Sequence, residues 1–123
     1  MAHLVTANLH AHAGDPLLVL IPTEYTAGTV TAAAWRTLGA AAVTKTLGAG
    51  ITAVSGSTAK STYPDEDWTG VGDNDAVLVV DVDPANTTAV GVGRWRWQAL
   101  AGSGEAKVVA KGWLTVTATI PVV

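Results

Sequence analysis

Cysteine is absent from all 123 residues of the chain, which removes disulfides, thiol nucleophiles, zinc ribbons and iron–sulfur clusters together. Phenylalanine is absent as well and methionine occurs once. Charge is scarce: 14% of the residues are Asp, Glu, Lys or Arg, and seven basic residues against ten acidic ones leave a formal charge of −3. Such a chain lacks the basic face that neutralises duplex phosphates, so a nucleic-acid partner is not expected. Long apolar runs are missing too. The longest bulky one, Leu17 to Ile21, lies between Pro16 and Pro22 and is far short of the roughly 20 residues a membrane-spanning helix needs. No Lys or Arg precedes Arg36, so the basic region of a secretory signal is not found. The expectation is a product of the cytoplasm that stays soluble or joins an assembly, with no membrane partner.

What is present is small and β-forming. The chain holds 22 Ala, 17 Val and 17 Thr against 13 Leu and Ile together, and Val and Thr, stiff at χ1, fit a pleated surface better than a helix. A chain of this size buries roughly 65% of its unfolded surface and holds one core without staples. The expected organisation is an N-terminal arm at residues 1–13 and a single domain at 14–123.

Leu17 to Ile21, closed by proline at both ends, reads as the first core strand. Val30 to Arg36 and Ala42 to Thr46 read as two more, Ile51 to Val54 as a third short one, and Ser55 to Thr62 as a polar loop. Tyr63 to Asp75 has no apolar period and reads as a loop. Ala76 to Val82 reads as a central strand ended by Asp83-Pro84, and Ala85 to Ala89 as one helical turn capped by Asp83 with Pro84 at its first position. Gly93 to Leu100 alternates strictly, with Arg94, Arg96 and Gln98 on one face and Trp95, Trp97 and Ala99 on the other. After Ala101 to Glu105 a long strand, Ala106 to Ile120, returns antiparallel, with a bulge or bend expected at Gly112. About seven short strands at roughly 8–12 residue spacing, with no amphipathic helix for βαβ crossovers, point to an all-β, immunoglobulin-like antiparallel β-sandwich.

Seven of the ten carboxylates fall between Asp65 and Asp83. Asp65, Asp67, Asp73 and Asp75 are candidate calcium ligands, because a hard cation wants several carboxylate oxygens on a flexible loop. Asp65-x-Asp67-x-Thr69-Gly70 opens like a calcium loop, but its twelfth position is Ala76, where a bidentate Glu is required. A solvated acidic loop that keeps a strand edge from pairing is the simpler reading. His3, His10 and His12 invite a metal through imidazole, yet only Asp15 stands near them, and an uncharged arm accounts for them as well. Leu4, Val5 and Leu9 make that arm apolar enough to dock on a partner. Trp95 and Trp97, beside Arg94 and Arg96, resemble a stacking platform for single-stranded nucleic acid or sugar, but two same-face Trp on a strand of a small sandwich are more simply core. Trp35 and Trp113 are separately placed, and Trp68, in the acidic loop, is the Trp expected to be exposed and to anchor an interface, with Arg94 and Arg96 as further interface candidates. Thr115, Thr117 and Thr119 read as a solvated strand face.

The catalytic inventory is nearly empty. There is no Gly-x-Ser-x-Gly elbow and no Gly-rich phosphate loop with Lys. Asp81 and Asp83 share a strand face as a glycosidase-like carboxylate pair would, but on one strand end and not across a cleft. No enzyme activity and no cofactor is expected.

From Gly14 to Ile120 the order of features resembles the small β-sandwich domain at the N-terminus of upper baseplate proteins of long-tailed bacteriophages, and of related phage virion proteins. The resemblance rests on Leu17 to Ile21, the break Thr26-Ala27-Gly28 before Val30 to Arg36, Thr46-Leu47 and Gly50-Ile51. It continues in Val77 to Val82 running into Asp83-Pro84-Ala85-Asn86-Thr87, in Gly93-x-Trp95-x-Trp97 where that family usually shows Gly-x-Tyr-x-Tyr, and in Lys111-Gly112-x-Leu114-x-Val116. With no helical linker, shaft or receptor-binding head after the last strand, the resemblance implies a non-enzymatic virion structural protein. The expected role is a capsid decoration protein, present in many copies or as a homo-oligomer, that binds the major capsid protein or other virion proteins. A tail or baseplate component is the alternative. A carbohydrate- or calcium-dependent binding module using Trp68 and the acidic loop is the reading from a different class.

Overall fold

The computed structural model of the chain describes residues 5–118, and for Val5, Thr6 and Ala7 the backbone alone. Eight strands and two short helices run in the order β1 (Val5–His12), β2 (Leu17–Thr26), β3 (Ala32–Thr37), β4 (Val43–Leu47), β5 (Gly50–Ser55), α1 (Gly56–Thr62), β6 (Asp75–Val82), α2 (Pro84–Val90), β7 (Gly93–Gly102) and β8 (Lys107–Thr117). The fold is all-β. The strands form one sheet ordered β1-β8-β7-β3-β4-β5-β6-β2, nearly closed into a barrel.

Alternation decides which side chains turn inward. Val19 and Ile21 on β2, Leu78, Val80 and Val82 on β6, Trp35 on β3, Trp97 and Ala99 on β7, and Leu114 and Val116 on β8 belong to one buried cluster. The Ala-rich composition finds its reason here. Trp35 lies directly opposite Ala99 across the β3–β7 pair, and the small neighbour leaves room for the ring in a close-packed interior.

The seam of the sheet is the β4–β5 contact, where only Thr46–Gly50 and Leu47–Ile51 pair. Between them Thr46 and Ala49 exchange backbone hydrogen bonds of 3.1 and 2.8 Å. Gly48 and Gly50 take φ of +83° and +100°, a region glycine enters without a Cβ penalty. The chain thereby passes from pairing with β3 to pairing with β6 without reversing direction.

Several expectations are corrected. Eight strands lie among the described residues, close to the seven or so expected, but two of the pairings, β1–β8 and β4–β5, are parallel where an antiparallel sandwich was expected. Residues 5–12, read as part of an arm, form β1, paired with β8 along its whole length, with Ala11 buried and Leu9 packed against the core. Leu4 and His3 lie outside the described residues, as does Thr119. Residues 56–62, read as loop, are helix α1. Ser55 caps it, its hydroxyl accepting from Thr58 N at 3.2 Å. The helix packs on β5 and β6, and Ala59 and Val77 are fully buried outside the main core. The register shift of the β7–β8 hairpin falls at Ala99/Leu100, opposite residues 108–110, and not at Gly112. The capped turn after β6 is as expected: α2 has Asp83 as N-cap, Pro84 in its first turn and a capping box with Asn86.

Candidate interaction surfaces

On the half of the sheet formed by β1, β8, β7, β3 and β4, the outward residues of β7 are Arg94, Arg96 and Gln98. Their cross-strand partners on β8 are Thr115, Trp113 and Lys111, while Arg36 on β3 lies beside Gln98. Diagonal and direct neighbours on one sheet face are close enough for long side chains to meet. Here they meet at Trp113: the guanidinium carbon of Arg94 is 4.4 Å from the ring centroid and that of Arg96 is 4.9 Å. Each such cation–π contact at an exposed site contributes about 0.5–1 kcal/mol. Arg36, Leu38, Arg96, Gln98, Lys111 and Trp113 line a shallow groove of about 650 Å³. No Asp or Glu points outward from this half of the sheet among the described residues.

The opposite half, β5, β6 and β2, has a different exterior. Leu20, Val79 and Thr52 form one outward row, Leu18 and Asp81 the next, and Pro22, Val77 and Val54 a third that begins where α1 packs. Leu18 is 46% exposed, Leu20 and Val79 are half-buried, and Pro22 is exposed. The strip is apolar apart from Asp81 and Thr52.

The acidic loop does not converge. Asp73 pairs with Lys60 at 2.8 Å, and Asp75 accepts from Gly72 N at 2.7 Å. Asp67 accepts from the Thr69 hydroxyl at 2.6 Å and the Thr69 amide at 3.0 Å; the hydroxyl bond first and the amide bond second hold its pKa below the usual carboxylate range. Each of these carboxylates serves the loop's own backbone or a lysine, and no group of three or more His, Asp or Glu is placed to hold a metal among the described residues. Asp81 and Asp83 separate as well: Asp81 is exposed on β6, and Asp83 caps α2, with Lys45 at 4.0 Å.

Trp68, expected to be exposed, is half-buried and donates its Nε1 hydrogen to Tyr63 O at 2.8 Å. Trp97 is 4% exposed and Trp95 packs on the core, its Nε1 hydrogen going to Gly91 O at 3.0 Å; the pair is core and not a stacking platform. His10 and His12 flank Thr117, whose hydroxyl lies 3.2 Å from His10 Nε2 and 2.9 Å from His12 Nδ1. Of the interface candidates, Arg94 and Arg96 are exposed together, Leu9 packs against the core, Val5 lies in the β1 backbone, and Leu4 is outside the described residues. Sequence reasoning missed the central place of Trp113 between the two arginines and the apolar strip on β2. Their signals, the Lys111-x-Trp113-x-Thr115 alternation and Leu18-x-Leu20, acquire meaning only once the cross-strand register is known. Comparison with known proteins finds no matching family model and no matching curated protein.

Proposed function

We propose that the chain is a non-enzymatic structural protein of a bacteriophage virion, a decoration protein that binds and stabilises the major capsid lattice and is built on an immunoglobulin-like β-sandwich. Support for the immunoglobulin-like reading comes from the strand order. With β2 to β8 taken as strands B to G, β2-β6-β5 follows the B-E-D half and β8-β7-β3-β4 the G-F-C half with one added strand. The two halves meet through two residue pairs, and the first strand lies on the last.

The observation that carries the functional reading is the apolar strip of Leu18, Leu20, Pro22 and Val79 on the outer face of β2 and β6. A contiguous apolar face that none of the described residues covers marks a surface meant for a partner. It stands on a sheet edge, beside no catalytic grouping among the described residues, and binding without turnover is the chemistry it supports.

The test uses virions or empty heads lacking this protein. Added back, the purified chain is expected to sediment with the heads and raise the temperature at which they disrupt. Leu18→Asp, an exposed position with little fold cost, should abolish that binding, and Val92→Asp, exposed between α2 and β7, should not. Sedimentation with tails only, or with neither structure, overturns the reading.

A further inference from the structure

An acidic loop, residues 65–67, and a basic face stand apart on this molecule, each without a partner of opposite charge for its exposed groups among the described residues. Arg36, Arg94, Arg96 and Lys111 are four of the seven basic residues in the chain, and none of them is within ion-pair distance of a carboxylate among the described residues. Residues 65–67, Asp-Glu-Asp, are exposed in a row, and the side chains of Asp65 and Glu66 make no bond among the described residues. Backbone hydrogen bonds locate the loop. Ala27 N donates to Asn74 O at 2.7 Å and Thr31 N to Gly102 O at 2.9 Å, so the loop adjoins the end of the sheet where β7 finishes. Arg94 and Arg96 open β7 at the other end, roughly 20–26 Å along the strand from Gly102 at about 3.3 Å per residue. They also face outward from the other half of the sheet. That separation keeps the loop of one copy away from its own Arg94 and Arg96.

We propose that the groove between Arg36, Arg96, Lys111 and Trp113 receives the acidic loop, residues 65–68, of a second copy of this chain. Three features fit this occupant. Guanidinium forks match carboxylates in paired hydrogen bonds. The Trp113 ring holds Arg94 and Arg96 in place before the partner arrives, so less side-chain freedom is lost on binding. Leu38, 53% exposed at the groove's rim, offers an apolar contact to Trp68 of the incoming loop. Because the two surfaces differ, the contact links copies head to tail into a ring or an open chain, or into a two-fold pair where the loop and groove of each copy engage those of the other at once. It uses neither Leu18 nor the β2 strip, and it does not require that the chain be a virion protein.

Sedimentation velocity of the full chain at roughly 20 and 500 mM salt tests the contact, since a charge-driven association weakens as screening grows. The wild type is expected to associate at low salt and to be monomeric at high salt. Arg36→Glu/Arg94→Glu/Arg96→Glu reverses the face, all three positions being exposed, and Asp65→Lys/Glu66→Lys/Asp67→Lys reverses the loop. Each variant alone should lose association at least tenfold, and an equimolar mixture of the two should recover it, because every face then meets a loop of opposite charge. Recovery also shows that both variants are folded; the milder Arg94→Gln/Arg96→Gln should weaken association without changing the far-ultraviolet spectrum. A wild type that is monomeric at low salt, association that survives reversal of the face, or a mixture that stays monomeric overturns the proposal. So does a face that binds heparin while the chain shows no self-association, which would make it a polyanion site instead.

Discussion

Trp35 and Trp97 meet across the β3–β7 pair with ring centroids 6.3 Å apart and planes tilted by 31°. Trp35 is fully buried and Trp97 nearly so, and between them they fill the volume left by Ala33, Ala99 and Ala101. Trp35→Ala should cost about 3–5 kcal/mol, the range for deleting a buried aromatic side chain. Trp113→Ala removes two cation–π contacts and the half-buried part of the ring and should cost less, about 2 kcal/mol. Urea unfolding of the two variants checks the order. Equal losses would mean that the core is not organised around the Trp35–Trp97 pair.

A second tie joins α2 to the β1–β2 turn. Thr87 is fully buried; its hydroxyl donates to Asp15 O at 2.8 Å and accepts from Gly14 N at 3.1 Å. Thr87→Val keeps the shape and strands both backbone groups, a loss of about 1–3 kcal/mol. Asp83→Ala removes the N-cap bond to Asn86 N and should cost about 1 kcal/mol. Chemical denaturation of the single and double variants reads both, and near-additive losses are not expected because the two act on the same short helix.

Strand β1 protects the edge of β8. Its eight residues pair in parallel register from Val5–Ala110 to His12–Thr117. Deleting residues 5–12 leaves β8 with a bare row of donors and acceptors, the arrangement that templates strand addition between chains. The truncated protein should melt at lower temperature and form concentration-dependent aggregates, read by light scattering. A deletion that stays monomeric with an unchanged melting temperature would return these residues to the status of an unattached arm.

Legibility in the sequence followed the range of the forces involved. The alternation from Arg94 to Ala99 and the Asp83-Pro84 cap are local patterns, and both appear where they were expected. Helix α1 was hidden because its Gly, Ser and Thr residues favour caps and turns as much as helix; only Ala59 is buried apolar surface, and burial against β5 and β6 is a tertiary fact. The place of Trp113 between Arg94 and Arg96 depends on the register of β8 against β7, which a bulge at Ala99/Leu100 sets. The pairing of β1 with β8 joins residues about a hundred positions apart, and no periodicity encodes a partner.

Gly56 fixes how the acidic loop lies on the sheet. A Cβ there would run into the carbonyl oxygen of Gly72, next to the bond from Ser57 N to Asp73 O at 3.0 Å. Gly56→Ala should therefore lift the loop away and cost about 1–3 kcal/mol, as overpacking does. Gly70→Ala meets nothing within 4 Å, and only its φ of +82° opposes the substitution, at about 1 kcal/mol. If thermal melting showed Gly56→Ala to be the milder of the two, the close approach of Gly56 to Gly72 would be wrong.

Asp67 gives the loop a pH dependence of known sign. The two bonds from Thr69 stabilise the ionised carboxylate, so its pKa in the folded chain is depressed. A depressed folded value means that the contribution is present above the ordinary aspartate pKa and is lost as the pH falls through the lower, folded one. Because the carboxylate is exposed, the loss is local: the turn from Asp67 to Thr69 opens while the core stays folded. In a titration followed by nuclear magnetic resonance, the Thr69 amide should move with a midpoint below the usual carboxylate range. Thr69→Ala removes the hydroxyl bond, the larger of the two causes, and should bring the midpoint part of the way back up. Asp67→Asn should abolish the transition. A wild-type midpoint in the ordinary range, unmoved by Thr69→Ala, would show that these bonds do not hold the charged form.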